Sequence, residues 1–110
     1  MRDIRLSMEA RRGLMVIFKE AVNNCLKYSR ARNATLNVNR NGNVLEFSLV
    51  DDGVGFDAAE ASQGYGMTTM RERAAKLGLD FSIRSGNGNG TTIVVGGPIH
   101  LFTGKGKEPL

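Results

Sequence analysis

Apolar residues recur along the first quarter of the chain at Leu14, Ile17, Phe18, Ala21, Val22, Cys25 and Leu26. Spacings of three and four predict one amphipathic helix over about residues 9–29. Ser7 stands where its N-cap belongs. The period then changes to two. Leu36 and Val38 alternate with Thr35 and Asn37, which predicts a strand over residues 34–40. Asn41-Gly42 is a two-residue hairpin signal, and residues 44–50 return with Leu45, Phe47 and Leu49 on the inner face. Residues 56–63 are a short connection rich in small side chains. Met67, Met70, Ala74 and Leu77 mark a second amphipathic helix, stopped by Gly78. Leu79, Phe81 and Ile83 alternate as a third strand. A glycine-rich turn over 86–90 leads into a β-branched last strand, 92–95. Beyond Gly97-Pro98 the periodicity stops. The reading is one domain over residues 1–97 and a mobile tail over 98–110. Its class is α+β, a two-layer sandwich with helices on one face of a sheet.

Composition narrows the picture. The 110 residues suffice for one compact domain, and 41% hydrophobic with 24% charged residues is ordinary for a soluble protein. The net charge of +4 comes from scattered cations without a dense basic block or interleaved aromatics, so no nucleic-acid partner is expected. Cys25 is the only cysteine and His100 the only histidine, which excludes an intrachain disulfide and a Cys/His zinc site within one chain. No apolar run approaches the roughly 20 residues that span a bilayer, and no signal-peptide pattern is present. A cytoplasmic domain without direct membrane contact is expected. The start at Met1-Arg2-Asp3-Ile4 reads as a boundary inside a longer protein.

Four motifs carry the candidate chemistry. Asp51-Asp52-Gly53-Val54-Gly55 follows the second strand directly. A carboxylate at a buried strand end is costly unless something donates to it. The exocyclic amine of adenine can donate; guanine presents a carbonyl oxygen at that position. The glycines let backbone approach a flat ring. Gly64-Tyr65-Gly66 opens the second helix, where unpaired N–H groups and the helix dipole favour phosphate. Glu20 and Asn24 lie one turn apart on the first helix. Asn24 can offer its carbonyl oxygen to Mg²⁺, and Glu20 can orient or deprotonate an attacking group. Lys27 and Tyr28, on the next turn, can reach phosphate oxygens. Gly88-Asn89-Gly90-Thr91 precedes the last strand. Read singly, each motif is as consistent with a surface polar pair, a strand-end turn, a loop or a solvated lysine. There is no P-loop run and no Rossmann glycine fingerprint.

Taken in this order, the motifs resemble the ATP-binding domain of sensor histidine kinases, in the GHKL superfamily shared with gyrase, the heat-shock chaperone ATPases and the mismatch-repair ATPases. Residues 17–29 resemble its N box. Asp51-Asp52-Gly53-Val54-Gly55-Phe56 resembles the G1 box, and Gly64-Tyr65-Gly66-Met67 with Arg71-Glu72-Arg73 the G2 box of short-lid members. Gly88-Asn89-Gly90-Thr91-Thr92 resembles the G3 motif.

The resemblance implies a Bergerat-type fold with a left-handed βαβ unit and a mixed sheet. It implies ATP and Mg²⁺ as cofactors, Asn24 as the Mg²⁺ ligand and Glu20 as catalytic base. Asp51 would take the adenine amine, with Gly55 beneath the ring and Thr91 nearby. Gly64 and Gly66 would hinge a lid. Lys27, Tyr28, Gly53, Met67 and Gly90 complete the implied nucleotide site. Tyr28 stands where many members carry histidine. The phosphoacceptor histidine and dimerisation hairpin, which lie upstream in this family, are absent from the chain. The implied activity is that of a protein histidine kinase in a two-component system. Its partners would be the histidine-bearing dimerisation domain of a parent kinase, which can be membrane-anchored, and a downstream response regulator. The alternatives are a serine kinase of the anti-sigma-factor type and a non-catalytic ATP-sensing module of the same superfamily.

Overall fold

The computed structural model describes residues 5–24, 31–53, 67–85 and 90–103. Helix α1 spans Met8–Asn24, strand β1 Ala34–Asn41 and strand β2 Val44–Asp51. Helix α2 spans Met67–Lys76, β3 Asp80–Ser85, β4 Thr91–Pro98, and a single-turn helix α3 His100–Thr103. The strands form one sheet in the order β1-β2-β4-β3.

Local sequence explains the element ends. The Ser7 hydroxyl accepts the Ala10 N–H at 3.0 Å, an N-cap on the first turn of α1. At the far end of α2, Gly78 adopts φ 76°. Its N–H donates to the Ala75 carbonyl at 2.9 Å and the Leu79 N–H to the Ala74 carbonyl at 2.9 Å. That pair of bonds is a Schellman stop, which needs the left-handed conformation glycine adopts freely.

The helices bury one face of the sheet. Ala10, Leu14, Ile17 and Ala21 of α1 are buried, as are Met70 and Ala74 of α2 and Leu45, Leu49, Ile93 and Val95 of the sheet. Gly13 brings α1 close to α2: a Cβ at this position would meet the Leu77 side chain at 2.6 Å. The Phe47 ring lies 6.4 Å from that of Phe18 and 5.4 Å from that of Phe102, centroid to centroid.

All pairings among the described strands are antiparallel, and the parallel pairing of the expected mixed sheet lies outside the described residues. Two expectations are corrected. The hairpin loop is Gly42-Asn43 rather than Asn41-Gly42, because Asn41 pairs with Val44. The domain does not end at Gly97. Strand β4 includes Pro98, the Ile99 N–H donates to Asn43 O at 2.6 Å, and Phe102 is wholly buried. The Phe102 carbonyl accepts the Ser7 N–H at 2.8 Å, tying α3 to the start of α1. The apolar residues Ile99, Leu101 and Phe102 make too short a run to show a period, so the burial of Phe102 was not visible in the sequence. Residues 25–30, placed on the first helix by the sequence, lie outside the described residues. Among the described residues no helix is long and apolar enough to cross a membrane.

Truncating Phe102 to Ala removes a ring from the centre of the core. The expected cost is about 3–5 kcal/mol, read as a fall in the urea midpoint with an unchanged slope.

Candidate functional site

Strand parity builds the site. Leu45, Phe47, Leu49 and Asp51 occupy alternate positions of β2 and so share the helix-covered face. Asp51 is 4% exposed. Its cross-strand neighbour is Thr91, the first residue of β4, which is 3% exposed. The Gly53 N–H turns back to donate to Asp51 Oδ1 at 2.8 Å, which offsets part of the cost of burying a carboxylate. Gly90 sits directly behind with φ 72°. A Cβ there would collide with the Asp51 carbonyl oxygen. The residue before β4 is therefore glycine for two independent reasons, conformation and space.

The helices bring further groups to this end of the sheet. Helix α1 starts beside Phe102, at the end where β4 finishes. Seventeen residues of helix rise about 25 Å, close to the roughly 27 Å of an eight-residue strand. The last turn of α1 thus reaches the end that carries Asp51 and Thr91. Helix α2 runs the opposite way. Its last residues lead through Leu79 into β3, and Leu77 meets Gly13 near the start of α1. Its N-terminus at Met67 therefore points toward the Asp51 end, and with it the positive end of the helix dipole. Glu20 lies seven residues, about two turns, beyond Gly13 and so on the α1 flank that faces α2. It is half-buried.

The neighbouring carboxylate does something else. Asp52 points out of the opposite face and is exposed. Its Oδ1 accepts the Arg32 and Asn33 N–H groups, each at 2.9 Å, and its Oδ2 accepts Asn33 Nδ2 at 2.9 Å. The Asp52 N–H returns a bond to the Asn33 carbonyl at 3.1 Å. These donors, the Asn33 backbone first, hold the Asp52 carboxyl below its ordinary value of 3.8. The clamp fixes the approach to β1 against the end of β2. Its role was missed in the sequence, where Asp51 and Asp52 form one acidic doublet. Strand parity is the signal that separates them.

Of the expected site residues, the structure brings Asp51, Gly53, Gly90 and Thr91 together at one end of β2 and β4, with Glu20 on the last turns of α1. Asn24 closes α1 and Met67 opens α2. Lys27, Tyr28, Gly55, Gly64 and Gly66 lie outside the described residues. Among the described residues no group of three His, Cys, Asp or Glu could hold a metal ion.

The family of histidine kinase-, DNA gyrase B- and HSP90-like ATPases matches residues 9–100. The chain belongs to that family. It is similar to the nitrate/nitrite sensor protein NarX of Escherichia coli K12, 37% identical over 83 residues, covering 74% of this chain and 14% of NarX. It is also similar to the sensor protein VraS of Staphylococcus aureus strain COL, 35% identical over 88 residues, covering 79% of this chain and 25% of VraS. The chain thus spans a quarter or less of the relatives' length. Its fold matches the histidine kinase domain of the Erythrobacter litoralis EL346 blue-light activated histidine kinase, with a TM-score of 0.73 at 18% identity over 87% of this chain and 50% of that one. The Acinetobacter baumannii histidine kinase AdeS shares the fold with a TM-score of 0.68 at 14% identity, over 81% of this chain and 47% of that one. The GHKL resemblance and the α+β class read from the sequence are borne out by these matches.

Two predictions follow from the geometry. Gly90→Ala forces a disfavoured backbone conformation and a collision with the end of β2, costing about 1–3 kcal/mol in chemical denaturation. Asp52→Asn loses the advantage of the charged clamp. Because the folded-state value of Asp52 is depressed, its contribution is full above the unfolded value of 3.8 and disappears as pH falls through the folded value. The difference in urea midpoint between parent and variant is expected to be clear at neutral pH and to shrink below pH 3.8.

Proposed function

We propose that this chain is the ATP-binding catalytic domain of a two-component sensor histidine kinase, and that it supplies the γ-phosphate of ATP for phosphorylation of a histidine on another domain. The observation that carries the reading is the buried Asp51 carboxylate, cross-strand from buried Thr91 and held by the Gly53 N–H, in a chain of this family. An acceptor so placed selects a purine that donates at its exocyclic position, which is adenine. Thr91 lies close enough in register to share that edge, directly or through water. Gly55 would lie under the ring. Gly64 and Gly66 would let a lid fold over the phosphates, and the Met67 end of α2 would meet them with its N–H groups. Lys27 and Tyr28 would add phosphate contacts.

Glu20 and Asn24 offer hard oxygen donors on the last turns of α1, a set that suits Mg²⁺ shared with phosphate oxygens and water. Asn24 would hold the ion, and the ion would neutralise charge on the phosphates. Glu20 would orient the attacking imidazole and take its proton, since phosphoryl transfer depends chiefly on position and charge. The domain would act in the cytoplasm as part of a longer sensor, with a response regulator downstream. Alone, it is expected to bind ATP without phosphorylating itself.

Calorimetric titration with ATP and GTP, with and without Mg²⁺, tests the reading. Mg²⁺-sensitive ATP binding and weak GTP binding are expected, and Asp51→Asn is expected to weaken ATP binding roughly ten- to a hundredfold. Absence of ATP binding by the parent chain sinks the reading. Glu20→Gln is expected to bind ATP as the parent does, yet to lose phosphotransfer to an added histidine-bearing helical hairpin. Equal transfer by parent and variant removes Glu20 from the chemistry.

A further inference from the structure

Asp52 stands in water on the open face of the sheet, where a carboxylate needs no protein partner. It nevertheless accepts the Arg32 and Asn33 N–H groups on Oδ1 and Asn33 Nδ2 on Oδ2, each at 2.9 Å. Its own N–H donates to the Asn33 carbonyl at 3.1 Å. Bonds made in competition with water each add little stability, so a set of them on one exposed residue points to placement. The far side of the clamp is itself held. Ala31 packs against the core, and Ala34 opens β1 opposite Asp51. Arg32 and Asn33 therefore form a fixed post between two anchored neighbours.

What the post holds is the turn behind Asp51. Both ladders of β2 end at Asp51, which pairs with Ala34 of β1 and Thr91 of β4. Gly53 lies past the last ladder pair, yet its N–H must meet Asp51 Oδ1 at 2.8 Å. That N–H lies in the peptide plane joined to Asp52, so fixing Asp52 fixes its direction. From the other side Gly90 confines the same oxygen: a Cβ there would stand 3.4 Å from Asp51 Oδ1. We propose that Asp52 is a positioning residue for the purine: by clamping residues 32 and 33 it fixes the peptide that carries the Gly53 N–H, and through that bond the direction in which Asp51 presents its carboxylate. The inference rests on the reading of Asp51 as the adenine acceptor, and goes beyond it in assigning selectivity to a residue on the opposite face of the sheet. A hydrogen bond weakens steeply as its angle opens. Without the clamp Asp51 stays buried, but its direction is blurred. The loss falls on the adenine edge and spares contacts to phosphate oxygens, which ATP and GTP share.

Calorimetric titration with ATP and GTP reads both affinity and preference. Asp52→Ala is expected to weaken ATP binding about tenfold and GTP binding much less, so that the preference for ATP falls. The exchange Asp52→Asn with Asn33→Asp keeps an oxygen at position 52 for the two main-chain N–H groups and reverses the side-chain bond. It leaves the net charge unchanged, and it is expected to restore ATP affinity to within about threefold of the parent. Hydrogen exchange of the Gly53 amide in the nucleotide-free chain gives a second readout: faster in Asp52→Ala, and slowed again by the exchange. Circular dichroism checks that each variant is folded at the titration temperature. Should Asp52→Ala not fold, Asn33→Ala removes only the bond to Oδ2 and is expected to shift the same two readouts in the same direction. ATP and GTP binding weakened equally, or a folded exchange variant that restores neither readout, overturns the proposal, because a merely structural clamp gives that result. A parent that binds ATP and an Asp52→Ala variant that matches it overturn the proposal and leave the adenine reading standing. A parent that binds no ATP removes both.

Discussion

The parity of β2 is the constraint on which the rest depends. A strand turns alternate side chains to opposite faces, so burying Leu45 and Leu49 under α1 commits Asp51 to the same interior. No separate interaction is needed to draw the carboxylate inward. The apolar contacts along the strand outweigh the cost at its end, and the Gly53 N–H lowers that cost. A slip of one residue would expose Leu45 and Leu49 and exchange Asp51 for Asp52. Core packing therefore fixes the identity of the buried carboxylate.

The same parity divides labour between adjacent residues of like chemistry. Asp52 faces water, where desolvation is small, and its acceptors are taken by three N–H donors near the start of β1. It fastens one loop. Asp51 is shielded from water, where a carboxylate discriminates strongly between a donor and an acceptor presented to it. A sensitive acceptor next to a structural clamp has a practical consequence. The walls of the candidate site are set by bonds that do not involve any ligand.

Much of this was legible in the sequence because it was periodic or punctuated. Helix α1, the hairpin strands, the stop at Gly78 and the Ser7 cap each rest on a repeat or a residue type with one mechanism behind it. What escaped notice rested on single contacts at long sequence separation. Phe102 fills the core next to Phe47, but nothing around it repeats. The clamp joins Asp52 to Arg32 and Asn33 across the whole hairpin. The hairpin loop was misplaced by one residue, because Asn41-Gly42 and Gly42-Asn43 are both good turn dipeptides and only the strand register decides between them. The site was legible as an ordered set of motifs, whereas its assembly follows from element lengths and directions.

Those lengths and directions also explain why a small domain can keep closure and chemistry apart. At one end of the sandwich, the Ser7–Phe102 bond, the Ile99–Asn43 bond and the Schellman stop tie the elements together. At the other end β2 finishes, β4 begins, α1 finishes and α2 begins. Each element contributes an end there, and ends are where backbone N–H and C=O groups lack partners within their own element. A ligand rich in hydrogen-bonding atoms can supply those partners, so the polar end can remain open while the closed end carries much of the burden of holding the fold together. In this arrangement a substitution at the closed end, such as one at Phe102, acts on stability. A conservative substitution at Asp51 leaves the β2–β4 pairing in place, because that register does not depend on the charge of the side chain.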